Sequence, residues 1–182
     1  VAGLRRDQGR VEKAIEAYEN AVVITPGSSY PRGNLAALYL CRHHAICDPE
    51  SLELALYHFE QTLVYAQHEL AAFSNDYFHL MDLVMSRMIL GIKDIENLKA
   101  ALVQLDDVLA LRPTVEMLQT SRRGWYFLRQ AAPPEWTVVQ RGINRAIHQI
   151  EKKIVEQGGI PLDIKPTALC GDSPQETTND AS

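Results

Sequence analysis

The chain has 182 residues, 46% of them apolar and 23% charged, with a formal charge of −5. That is enough for one compact core or one short helical array, and too apolar for wholesale disorder. The acidic balance offers no field of Lys and Arg for phosphates, and no apolar run nears the roughly 18 residues of a membrane span, so neither nucleic acid nor membrane is an expected partner.

Glycine and proline punctuate stretches of helical periodicity. Breaks are expected near Gly9, Thr25-Pro26-Gly27, Cys47-Asp48-Pro49, Gly91, Arg112-Pro113, Ala132-Pro133-Pro134 and Gly158-Gly159. After the first of these, Val11, Ile15, Tyr18 and Val22 recur on one helical face. Asp48-Pro49-Glu50 supplies a capping carboxylate and a proline at the first helical position, where its missing N–H costs nothing. Leu70, Phe73, Tyr77, Leu80, Val84 and Met88 keep one phase and predict a single long helix.

Leu98, Leu102, Leu105 and Leu109 continue the pattern past Gly91. Thr114 follows Pro113 as a candidate cap for the next helix. The last helix reads Trp136, Val139, Ile143, Ile147, Ile150 and Ile154, a one-sided stripe suited to closing an array against water. Gly158 can take the left-handed conformation that ends it. No stretch alternates with a period of two, so no strand is expected. The count is eight helices in four hairpins, the first hairpin truncated, over residues 1–157. Residues 158–182 read as an extended or disordered tail or linker. Within it, residues 160–166 form a proline-bracketed apolar segment that could lie along the helices, burying Ile160, Leu162 and Ile164 and filling a groove.

A spacing repeats along the chain. Ala14, Tyr18, Ala21 and Pro26 are matched by Ala101, Leu105, Val108 and Pro113, and partly by Ala55, Phe59 and Thr62. Leu35-Ala36 and Tyr39 precede the middle copy. In this the chain resembles the tetratricopeptide repeat (TPR), whose signature over about 34 residues is Trp-x2-Leu-Gly-x2-Tyr, then Ala-x3-Phe, then Pro. The small residue lets two helices approach, the aromatic fills the gap to the next hairpin, and the proline stops the second helix. Arg32 stands where the family favours Trp. Ala14 to Ala55 is 41 residues and Ala55 to Ala101 is 46, longer than the family period. The first surplus is assigned to residues 42–48 between two helices, and the second to the long helix after Leu70.

The resemblance implies an all-α fold, a right-handed α-solenoid of about four antiparallel hairpins, and a non-enzymatic protein-interaction module or scaffold. The first helix of each hairpin would line a concave groove for a peptide or partner protein. Carried over by register, Tyr30, Asn34, Ala37 and Cys41 would face it from the second hairpin, and Ser74, Asn75, Phe78 and Asp82 from the third. Ser121, Arg122, Trp125 and Arg129 would face it from the fourth. Amides suit a peptide backbone, aromatics an apolar side chain and arginines a carboxylate, although Phe78 and Trp125 could equally be core.

Chemistry of other kinds finds little purchase. Cys41, His44 and Cys47 are three ligand types within seven residues, but no second pair at ligand spacing completes a zinc site, so a helix end is the plainer expectation. His58, His68, His79 and His148 are scattered, with no nucleophile elbow and no phosphate-cradling glycine loop, so neither enzyme activity nor a cofactor is expected. Three cysteines, an odd number, suggest no disulfide framework, which favours a cytoplasmic setting. A start at Val1 reads as a piece of a larger protein. The truncated first hairpin would then leave an apolar face open, through which the chain could form a homodimer.

Overall fold

The computed structural model describes residues 2–164, with side chains from residue 10 onward, and over these the chain is all-helical. Among the described residues there are seven helices and no strand. They are α1 (Ala2–Ile24), α2 (Ser29–Ile46), α3 (Pro49–Ala72), α4 (Tyr77–Leu90), α5 (Ile95–Ala110), α6 (Val115–Ala131) and α7 (Thr137–Glu156).

Local chemistry explains most boundaries. Asp48 accepts the amides of Glu50 and Ser51 at the start of α3, with Pro49 in its first turn. Thr114 Oγ1 accepts Met117 N at 3.2 Å and opens α6. Gly158, at φ +78°, turns the chain away after α7. Cys47, at φ 53°, takes the left-handed conformation after α2, and its N–H donates to His43 O at 2.7 Å.

Four expectations are corrected. The helix expected to run unbroken from Leu70 stops at Ala72, and a new one starts at Tyr77, because Asp76 accepts Phe78 N at 2.9 Å and His79 N at 3.0 Å. Helix α1 runs through Gly9 without a break. Residues 42–46 extend α2 and leave only Cys47 and Asp48 between α2 and α3, while the second surplus lies within the 24-residue α3. Seven helices rather than eight follow, because the two expected on either side of Gly9 are one.

The repeated positions are where the helices meet. Ala55 and Ala101 are wholly buried, as are Phe59, Thr62, Leu105 and Val108, whereas Ala14 and Tyr18 are half-buried against the same core. Short connections fold α2 onto α3, α4 onto α5 and α6 onto α7, while α1 packs on α2 and α3 on α4. The last hairpin departs from this succession. Helix α6 makes no packing contact with α5 and lies against α2 and α4, while α7 covers α5 and part of α4. His44 Nδ1 of α2 and the Gln130 carbonyl of α6, 2.9 Å apart, mark the junction. A strictly sideways stack would keep those two helices apart. At the α4–α7 crossing Gly142 seats Met88, and a methyl built on that glycine would overlap the Met88 Sδ.

A cleft between three helices

Helices α2, α4 and α6 share one cleft of about 680 Å³. Tyr30, Asn34 and Ala37 form the α2 wall, with Phe59 and Thr62 of α3 behind. Phe78, Met81, Asp82 and Met85 form the α4 wall, and Thr120, Arg123, Gly124 and Phe127 the α6 wall. Two features make room. Gly33 brings α2 close to α3, since a methyl there would already touch Thr62 Cγ2 at 3.4 Å, and Gly124 lies over Met85 in the same way at 3.5 Å. Tyr30 is 61% exposed and Phe78 44%, although both rings are large and apolar. Open aromatic surface gathered in a concavity is the ordinary signature of a binding site.

One end of the cleft is polar. Ser29, opening α2, donates its Oγ to Asp82 Oδ2 at 3.0 Å and its N–H to Glu69 Oε2 at 3.2 Å, tying α2 to α4 and α3. His79 Nδ1 is 3.4 Å from Glu69 Oε2, close but not aligned as a hydrogen bond. Burial raises the Asp82 carboxyl from 3.8 to about 6, against the lowering effects of Ser29 and His79 and with the help of the nearby Glu69 and Asp76.

Of the residues expected to line a groove, Tyr30, Asn34, Phe78 and Asp82 do so, together with Ala37 and Ser121. Asn34 Nδ2 also donates to Tyr30 O one turn back, at 2.8 Å. Asn75 does not line the cleft: it stands in the turn before α4 rather than on a helical face. Trp125 is core, fully buried, with Nε1 directed at Met81 Sδ at 3.3 Å. Arg122 and Arg129 turn to the other side of α6, where their guanidinium carbons lie 4.8 and 4.4 Å from the Tyr126 ring centroid. The physical reason is a rotation in register: α6 presents Thr120, Arg123, Gly124 and Phe127 inward. A glycine in mid-helix beside an aromatic three residues later is the sequence signal that could have marked that face.

The far side of α6 holds a second arrangement. Arg122, buried, pairs with Glu151 Oε1 at 2.6 Å, and Tyr126 Oη donates to the same oxygen at 3.0 Å. So fixed, Arg122 donates to the Leu162 carbonyl, while Gln119 donates to the Ile160 carbonyl at 2.8 Å and accepts Leu162 N at 3.5 Å. Residues 160–162 are therefore gripped by their main chain, on the α7 side of α6. The expected burial of Ile160 and Leu162 in the groove is overturned: they are 81% and 62% exposed, and Ile164 is only half-buried. Residues 165 and 166 of that segment lie outside the described residues.

Cys41 is wholly buried, His43 Nδ1 meets Asp48 O at 2.8 Å, His44 faces Gln130, and Cys47 is exposed. Among the described residues no three His, Cys, Asp or Glu gather closely enough to hold a metal ion. No described helix is long and apolar enough to cross a membrane. Comparison of the chain with family models, curated proteins and solved structures finds no match.

Proposed function

We propose that the protein is a non-enzymatic interaction module of TPR-like helical hairpins that holds a peptide or partner segment in the cleft between α2, α4 and α6. The observation that carries this reading is the convergence of the first helix of each hairpin on one concavity, with Tyr30, Phe78 and Phe127 around it and the Asn34 amide among them. Rigid aromatics supply contact area at low entropic cost, and amides satisfy a bound backbone. The repeat reading draws support from the close approach at Ala55 and Ala101. On this reading the α2–α6 contact joins two hairpins that are not neighbours in the chain.

The test is capture of bound protein from lysate by wild type, Phe78→Glu, Phe127→Glu and a control, Val103→Glu, on the exposed face of α5. A partner held by wild type and control but lost from both cleft variants, with helicity unchanged, is the expected result. Capture unaffected by the cleft variants would sink the proposal. A second reading, self-association, rests on α1, which among the described residues packs on α2 alone and leaves Val23 and Ile24 each 78% exposed. It predicts a mass that rises with concentration in light scattering and stays monomeric in Val23→Lys/Ile24→Lys.

A further inference from the structure

Asp82 is the group in the cleft whose situation the fold alone leaves unresolved. Its carboxylate lies on the α4 wall among Phe78, Met81 and Met85, with Asp76, His79 and Ser86 also lining that side, and its hydrogen bond from Ser29 Oγ satisfies one oxygen. No Lys or Arg of the described residues forms an ion pair with it. Charged neighbours add to its isolation, since Glu69 of α3 and Asp76 at the start of α4 are both acidic. His79 is the basic group nearby, and it leans toward Glu69. Across the cleft Arg123 is exposed and donates to Thr120 Oγ1 at 3.3 Å. A carboxylate drawn from water without a counter-ion is costly in the free protein, and a cation that enters the same low-dielectric place recovers that cost.

We infer that the cleft receives an apolar segment carrying a lysine or arginine, whose cationic group pairs with the Asp82 carboxylate while its apolar neighbours pack on Tyr30, Phe78 and Phe127. This rests on the interaction-module reading and gives it a ligand chemistry. Charge complementarity selects the occupant: acidic segments meet repulsion from Asp82 and Asp76 and from the nearby Glu69, against the pull of the exposed Arg123 on the far wall, and wholly apolar ones leave the carboxylate without a cation. Protonation of Asp82 removes the attraction, so recognition weakens as the pH falls through about 6.

The test uses fluorescent peptide pools of Leu, Ile, Phe, Ala and Ser around one fixed central residue: Lys, norleucine or Glu. Anisotropy is read with the full chain as wild type, Asp82→Asn and Phe78→Glu. The lysine pool is expected to bind wild type at least about tenfold more tightly than the norleucine pool at neutral pH, with the glutamate pool weakest. Asp82→Asn should erase that preference and keep the norleucine binding, and acidification should reduce the lysine advantage in wild type alone. Equal binding of lysine and norleucine pools, both lost in Phe78→Glu, would overturn the cationic specificity and leave the cleft reading standing. A lysine preference that survives Asp82→Asn overturns it also. Failure of every pool to bind would overturn both.

Discussion

Substituting Asp82 with asparagine removes a charge that burial disfavours and keeps an oxygen for the Ser29 hydroxyl, which donates to it across 3.0 Å. Raising a carboxyl from 3.8 to about 6 corresponds to roughly 3 kcal/mol of difference between its two protonation states. The side chain keeps part of its exposure, so about half of that, 1–2 kcal/mol, is the reasonable expectation. The sign follows from proton binding. The folded chain holds the Asp82 proton more tightly than the unfolded chain does, so this stability is fully present below 3.8 and is lost as pH rises through about 6. Asparagine carries no such loss. Urea denaturation of both proteins between about pH 4 and pH 7 should therefore show a difference near zero at the acid end, growing to about 1–2 kcal/mol in favour of Asp82→Asn at neutrality. Glu69, Asp76 and His79 contribute to both curves and largely cancel in the difference. Parallel curves, or a less stable asparagine variant at neutral pH, would refute the claim that this carboxylate is desolvated. A more stable protein that has lost its lysine preference would show why the charge is costly to keep.

Three further outcomes are expected. Gly142→Ala gains about 1 kcal/mol of helix propensity but drives a methyl into the buried Met88, so a net loss of about 1 kcal/mol is predicted in denaturant titration, with coupling to Met88→Ala in a double-mutant cycle. A net gain would mean that the α4–α7 seat is loose. Arg122→Ala strands Glu151 and frees the strap at residues 160–162, which should cost about 2–3 kcal/mol and speed amide exchange at Leu162; Gln119→Ala should speed that exchange at a smaller cost of about 1 kcal/mol. Asp76→Ala deletes the acceptor of two amides at the head of α4 and should cost about 1 kcal/mol by thermal denaturation, with Asp76→Ser recovering most of it.

The sequence made the helical character and several boundaries legible because their chemistry is local. Asp48, Thr114 and Gly158 act within a few residues of themselves, and Ala55 with Phe59 or Ala101 with Leu105 report a close contact through side-chain size. The break at residues 73–76 is masked in the sequence because Phe73, Tyr77, Leu80 and Val84 stay in helical phase across it, and an apolar count cannot tell a turn from a helix that continues. Asp76 was the visible clue. Half of the cleft is readable for a similar reason: Tyr30, Asn34, Phe78 and Asp82 follow the register of α2 and α4, which pack most extensively on their sequence neighbours. The cleft-facing side of α6 is not legible in the sequence, because its orientation depends on α2, far away in the chain, as well as on α7. Its stronger apolar face, centred on Trp125 and Leu128, went to the core and left Arg123 and Phe127 to the cleft. The strap was unreadable in side chains, since Gln119 and Arg122 hold main-chain atoms.

The junction of α2 with α6 changes how the molecule should come apart. An array in which every hairpin touches its neighbours alone can fray from an end, and its unfolding broadens as units are lost in turn. Here an early helix is bound to a late one, so removing the last hairpin also uncovers α2, at the middle of the packing. Closing that distant contact adds chain entropy to the folding barrier, which lowers the folding rate relative to a linear array of equal size. It also favours melting of α2 through α7 in one cooperative step.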